Sequence, residues 1–156
     1  MIIQSGFSRS EEEVLLVSSV LRRLDSGKLG SLAHRILCQK IQYLAQHFKI
    51  TPPYSYGLYL HGPYSPDLAK DLFFLENQKT PVSQEQFLSH ELEERFMRLK
   101  EFVQSKDLRS MEIITTLHWL LQSGFSSEQA ILKIKELKKA TPVEIKFAQE
   151  TLQKIP

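Results

Sequence analysis

The chain has 156 residues, 42% hydrophobic and 24% charged, with a formal net charge of +2. That suits one globular domain with a sizeable core, and the charge alone makes no case for nucleic acid or an anionic membrane. The lone cysteine, Cys38, excludes an intrachain disulfide and makes a reducing, cytoplasmic home the expectation. No membrane partner is expected either: the start MIIQSGFSRSEEEV lacks a basic-then-apolar leader, and no apolar run nears the ~20 residues that span a bilayer.

Taken in order, the punctuation residues outline a series of helices. Ser10 before Glu11-Glu12-Glu13 reads as a cap with a favourable acidic first turn, and Val14, Val17, Val20, Leu21 and Leu24 share one face. A second, longer helix is expected from Ser31 to about Phe48, ended by Thr51-Pro52-Pro53. Residues 54–61, YSYGLYLH, are the one convincing strand, and Ile2-Ile3 is a candidate to pair with it. Ser65, Pro66 and Asp67 open a helix with Leu68, Leu72 and Leu75 inward. Ser83 opens another, with Phe87, Leu88, Leu92, Leu99 and Phe102 inward. Asp107 caps the next, carrying Ile113, Ile114, Leu117, Leu120 and Leu121 and stopped by Gly124. Ser126 with Gln129, and Thr141-Pro142 with Glu144, resemble capping boxes of two last helices, whose core residues are Ala130, Ile134 and Leu137, then Phe147, Ala148 and Leu152. The expected fold is mainly α: one domain over 1–156, a compact multi-helix body with one short strand or hairpin around 54–61, and a winged-helix-like arrangement as a variant.

The second helix breaks its own pattern. At ~100° per residue, Leu32, Ala33, Ile36, Leu37, Ile41, Tyr43, Leu44 and Phe48 form one half, and His34, Arg35, Cys38, Gln39, Gln42 and Gln46 the other. Lys40 falls in the middle of the apolar half and His47 near it. A lysine there must snorkel to water or find a partner. Two readings follow: a side chain that snorkels or caps the C-terminal carbonyls of a neighbouring helix, or support for the GPYS loop through Asp67, Asp71 or loop carbonyls.

Segment 37–75, LCQKIQYLAQHFKITPPYSYGLYLHGPYSPDLAKDLFFL, resembles the pattern L-x-Q-K-x-x-Y-L, an aromatic run, then Y-x-x-GPYS-x-x-L-x-x-D-L of the YwgA-like group, related to the Panacea (SocA-like antitoxin) domain. Lys40 and Tyr43 occupy the first motif and Gly62-Pro63-Tyr64-Ser65 the second. The resemblance implies a small, mainly helical protein that acts by binding other proteins, as antitoxin or adaptor. The chain departs from those relatives in carrying YLHGPYS where they have an A-W-x-x-G-P-V-like run.

Chemistry is sparse. His34 and Cys38 have metal-ligand spacing, but two ligands do not make a site. No nucleophile elbow, phosphate loop or dinucleotide fingerprint is present. No cofactor, no metal and no catalytic residue is therefore expected. The alternative function is a winged-helix-like nucleic-acid binder using the lysines of the last two helices, Lys133 to Lys154, with tyrosines for stacking; interleaved Glu128, Glu136, Glu144 and Glu150 argue for a merely solvated face. Tyrosines on a rigid Gly-Pro turn suit a protein interface better. The expected partner-binding residues are Tyr56, Tyr59, His61, Gly62, Pro63, Tyr64, Ser65 and Asp67, with Lys40 and Tyr43 supporting the loop. Phe74 and Trp119 fall off the core stripes of their helices and mark a contact surface if exposed.

Overall fold

The computed structural model describes residues 6–24, 31–77, 89–104 and 106–156. Among them are seven helices and one antiparallel hairpin: α1 (Glu11–Leu24), α2 (Leu32–His47), β1 (Gly57–Tyr59), β2 (Gly62–Tyr64), α3 (Pro66–Glu76), α4 (His90–Val103), α5 (Leu108–Gln122), α6 (Ser127–Lys138) and α7 (Pro142–Leu152). The fold is mainly α with a single short hairpin, as the sequence implies.

Capping chemistry sets most helix starts. Ser31, Ser65 and Asp107 each accept the backbone N–H three residues on, and Ser126/Gln129 and Thr141/Glu144 form complete reciprocal boxes. Gly124 takes the positive φ (+101°) that ends the α5 turn. One start differs: Ser89, accepting from the Leu92 N–H, caps α4, which begins at His90. Ser83, Phe87 and Leu88 lie outside the described residues, as do Ile2 and Ile3.

The hub is α5. It packs against α2, α6, α7 and β2, while α1 and α4 lean on α2. Eight of its residues are buried, from Met111 to Leu120, and only its two ends are exposed. Thr115 and Thr116 keep that tolerable by donating back to the Met111 and Glu112 carbonyls at 2.8 and 2.6 Å. One continuous core runs from Val17 to Ile155. Since α6 and α7 are covered on one side only, Ala130, Ile134, Ile145 and Ala148 are buried, but Leu137 and Phe147, expected inside, stay 49% and 46% exposed.

In α2 the observed burial differs most from simple amphipathicity. Its first turn, Leu32 and Ala33 included, is exposed, and every residue from Cys38 to Ala45 is buried. Beyond Arg35, which is exposed, the polar half is largely covered. It meets a segment of irregular backbone: Gln42 donates to the Pro52 carbonyl (3.3 Å), and Gln46 both donates to the Tyr54 carbonyl (3.2 Å) and accepts its N–H (3.0 Å). Tyr54–Tyr56 is therefore extended but not a strand. Only Gly57–Tyr59 of the expected 54–61 strand pairs, with Gly62–Tyr64 in the register Gly57↔Tyr64, Leu58↔Pro63, Tyr59↔Gly62.

Asp71, fully buried on α3, ties the N-terminal segment down. It accepts from the Ser8 N–H (2.6 Å), the Ser8 hydroxyl (2.7 Å) and the Tyr54 hydroxyl (2.8 Å), while the Arg9 guanidinium lies 3.7 Å over the Tyr54 ring. Replacing Asp71 by Ala strands these donors and is expected to cost about 2–3 kcal/mol. Urea titration of Asp71→Ala beside Leu75→Ala, a change on the same helix without hydrogen bonds to lose, checks this; a smaller loss at Asp71 would contradict it.

Candidate functional site: a hairpin anchored over two buried lysines

The segment from Tyr56 to Ser65 has its backbone polar groups met by side chains from two helices and the α6 terminus. Trp119 Nε1 donates to the Tyr56 carbonyl (3.3 Å), Lys138 Nζ to Leu60 (2.7 Å), Lys40 Nζ to Pro63 (2.8 Å) and Gln39 Nε2 to Ser65 (3.1 Å). The Gln39 carbonyl also accepts the Ser65 N–H at 2.9 Å. Gln39 thus pairs with Ser65 as Gln46 does with Tyr54, two helical turns further along the same face.

Lys40 does not snorkel. It is 1% exposed and its ammonium sits under the hairpin on a loop carbonyl. Neither carboxylate considered from the sequence is its partner: Asp71 serves Ser8 and Tyr54, and Asp67 is exposed in the first turn of α3. Burial pulls the Lys40 amine down to about 8, Glu112 opposing and Lys138 adding to the shift. Lys138, 7% exposed, is paired with Glu112 at 2.8 Å, and Glu112 also stands 3.7 Å from His61 Nδ1.

Gly62 makes the close approach possible. Its φ is +95°, and a Cβ there would lie 2.6 Å from Thr116 Oγ1 and 3.4 Å from Lys40 Nζ. Neither turn residue, Leu60 nor His61, has a positive φ, so the left-handed residue of this turn falls on the glycine that follows it.

Beneath the segment preceding β1 lies a ring cluster. The Tyr43 hydroxyl is 2.7 Å from His118 Nδ1, and Tyr43 packs against His47 (4.6 Å), Tyr56 (5.1 Å) and His118 (5.6 Å). Burial, with His47 adding, pushes the His118 imidazole down to about 4; burial pushes the Tyr43 phenol up. Both are neutral at pH 7, and Tyr43 donates to the unprotonated Nδ1. Tyr43 thus packs against Tyr56, the residue before β1.

No protein-family model, curated protein or solved structure matches this chain.

The hairpin, the first half of α2 and α3 enclose a groove of about 700 Å³. Of the eight residues expected to bind a partner, Tyr59, His61 and Tyr64 line it. Gly62, Pro63 and Ser65 are buried and shape the turn. Tyr56 turns into the ring cluster, its buried hydroxyl without a hydrogen-bond partner among the described residues, and Asp67 lies outside the lining. Leu32, Ile36, Leu60 and Phe73 also belong to the groove; helical periodicity puts Leu32 and Ile36 on the apolar half of α2, yet Leu32 is 59% exposed. Trp119 is half-buried against the core, and Phe74 is 38% exposed next to the exposed Phe73. His34 and Cys38 lie 3.8 Å apart, and no group of three metal-ligating residues occurs among the described residues.

Two outcomes test this geometry. Gly62→Ala must lose the left-handed turn and collide with Thr116, for an expected loss of about 2 kcal/mol or more; a loss under about 0.5 kcal/mol in chemical denaturation would contradict it. For His118 the unfolded chain binds a proton near pH 6.5 and the folded chain only near 4, so stability is present above 6.5 and falls with falling pH. Between pH 6.5 and about 5 this amounts to about 2 kcal/mol. His118→Gln should flatten that part of the curve, and an unchanged slope would refute the assignment.

Proposed function

We propose that this chain is a non-enzymatic protein-interaction module that seats a partner on the face made by the hairpin tip, the exposed first turn of α2 and the outer side of α3. The observation that carries this reading is the concentration of exposed apolar side chains there. Leu32, Tyr59, Leu60 and Phe73 are each more than half exposed, Leu60 at 83%, and they border one groove. Apolar groups gathered in this way on a well-anchored frame suit a contact surface, because the frame loses little conformational freedom when a partner arrives. The tip itself cannot relax: its carbonyls are already engaged by Lys138 and Lys40.

The likeness of QKIQYL and GPYS to the YwgA/Panacea pattern supports the same reading, as an antitoxin- or adaptor-like protein. In this chain the two motifs meet physically, since Lys40 of the first donates to Pro63 of the second. The nucleic-acid alternative gains less. The exposed lysines of α6 alternate with Glu128 and Glu136, and on α7 Glu144 is held well ionised, at about 2, by Arg109 and the Thr141 N–H. No helix among the described residues is long and apolar enough to cross a membrane.

A pull-down from host lysate tests the proposal, comparing the wild-type chain with Tyr59→Ala/Tyr64→Ala and Leu60→Asp, each with and without nuclease. The expected result is one protein partner that survives nuclease and is lost, by about tenfold or more, in both variants. A partner list that the variants leave intact removes the face, and a signal that nuclease abolishes favours nucleic acid.

A further inference from the structure

The groove joins apolar walls to charged groups: Arg35, Lys40 and Glu76 all line it, and Lys138 lies outside the lining. Ile36, Ala69, Leu72 and Phe73 supply the walls, and Lys40 lines the same space from beneath the hairpin. Two buried ammonium groups, Lys40 and Lys138, share one nearby carboxylate, Glu112, and Lys138 holds it at 2.8 Å. Lys40 has three N–H donors, and among the described residues only the Pro63 carbonyl accepts from it. A buried ammonium short of both acceptors and countercharge is costly, and an anion arriving beside it would offset that cost. The volume is in the range that small organic ligands fill. Leu32 and Lys40, eight helical residues apart on α2, set the two ends of the space about 12 Å from each other.

We propose that this groove binds a small apolar carboxylate, its hydrocarbon part along Ile36, Ala69, Leu72 and Phe73 and its carboxylate at the Lys40 ammonium. The class follows from the two ends taken together. An amine would add to the positive charge at Lys40. An alcohol would fill the walls but leave the charge uncompensated. A hydrophilic anion would waste the walls. The site does not rest on the partner-binding reading, although Phe73 belongs to both, as an exposed edge there and as a wall here.

Calorimetric titration at pH 7 with octanoate, octanol and octylamine tests the proposal on the whole chain. Octanoate is expected to bind about ten- to a hundredfold more tightly than octanol, the factor that a charge-assisted hydrogen bond supplies, and octylamine not to bind. Ala69→Trp fills the groove while leaving Lys40 and the hairpin contacts in place, and should abolish octanoate binding. Lys40→Met should bring octanoate down to the level of octanol. Should Lys40→Met fail to fold, the ligand series on the wild type with Ala69→Trp still decides. Equal affinities for octanoate and octanol, octanoate binding that survives Ala69→Trp, or no octanoate binding at all would each overturn the assignment.

Discussion

The fold depends on how α2 satisfies a stretch of backbone that belongs to no helix and, for half its length, to no sheet. Residues 52–65 alternate between buried positions such as Tyr54, Pro63 and Ser65 and exposed ones such as Ser55 and Leu60, and at the buried positions an unpaired carbonyl or N–H costs on the order of 1–3 kcal/mol. Only three residue pairs of the hairpin supply ladder partners. The rest comes from side chains. Gln39 and Gln46 offer an amide to an amide, each taking a donor and an acceptor of one residue, and Gln42 and Lys40 take single carbonyls. Glutamine suits the task because its side chain carries the same two groups as a peptide unit. The helix thus does for this segment what a neighbouring strand would do in a sheet.

Charge is placed with the same economy. Lys40 and Lys138 reach the hairpin from different helices, one from α2 and one from the last turn of α6, and Glu112 on α5 lies near both. Arg109 extends the arrangement, donating to the Lys138 carbonyl at 2.8 Å and to Glu144 on α7. Lys138 thus links α5, α6 and the hairpin, Arg109 carries the link on to α7, and Lys40 ties α2 to the same hairpin. Rigidity of this kind fits a binding face better than a moving lid.

Local chemistry was legible in the sequence wherever a short-range rule decides. The N-caps at Ser31, Ser65 and Asp107, the two capping boxes and the stop at Gly124 depend on residues within four positions of one another, and each is where the sequence puts it. The misfit of Lys40 in an apolar stripe was also readable, and led to the loop carbonyls as one of its options. What could not be read were facts of tertiary packing. The glutamines of α2 look like a solvated face because polarity at helical spacing carries no sign of whether water or backbone lies opposite. Leu137 and Phe147 look like core because periodicity does not say how many layers cover a helix. Lys138, 78 residues from the carbonyl it holds, left no local trace at all. The spacing of Gln39, Gln42 and Gln46 was the one available hint of the backbone-pairing face.

The Lys138–Leu60 bond has a consequence for the order in which this molecule is made. The hairpin tip is encoded early, yet the cation that fixes it arrives only when α6 is synthesised, and contacts this far apart in sequence form late because they close a long loop. During translation the Tyr59–Leu60 tip exists for a time without its anchor. The face becomes complete only after α5 and α6 have docked, so a nascent or truncated chain ending before Lys138 presents the same apolar residues on a tip that is not yet held. Such a chain offers a poor mimic of the finished surface.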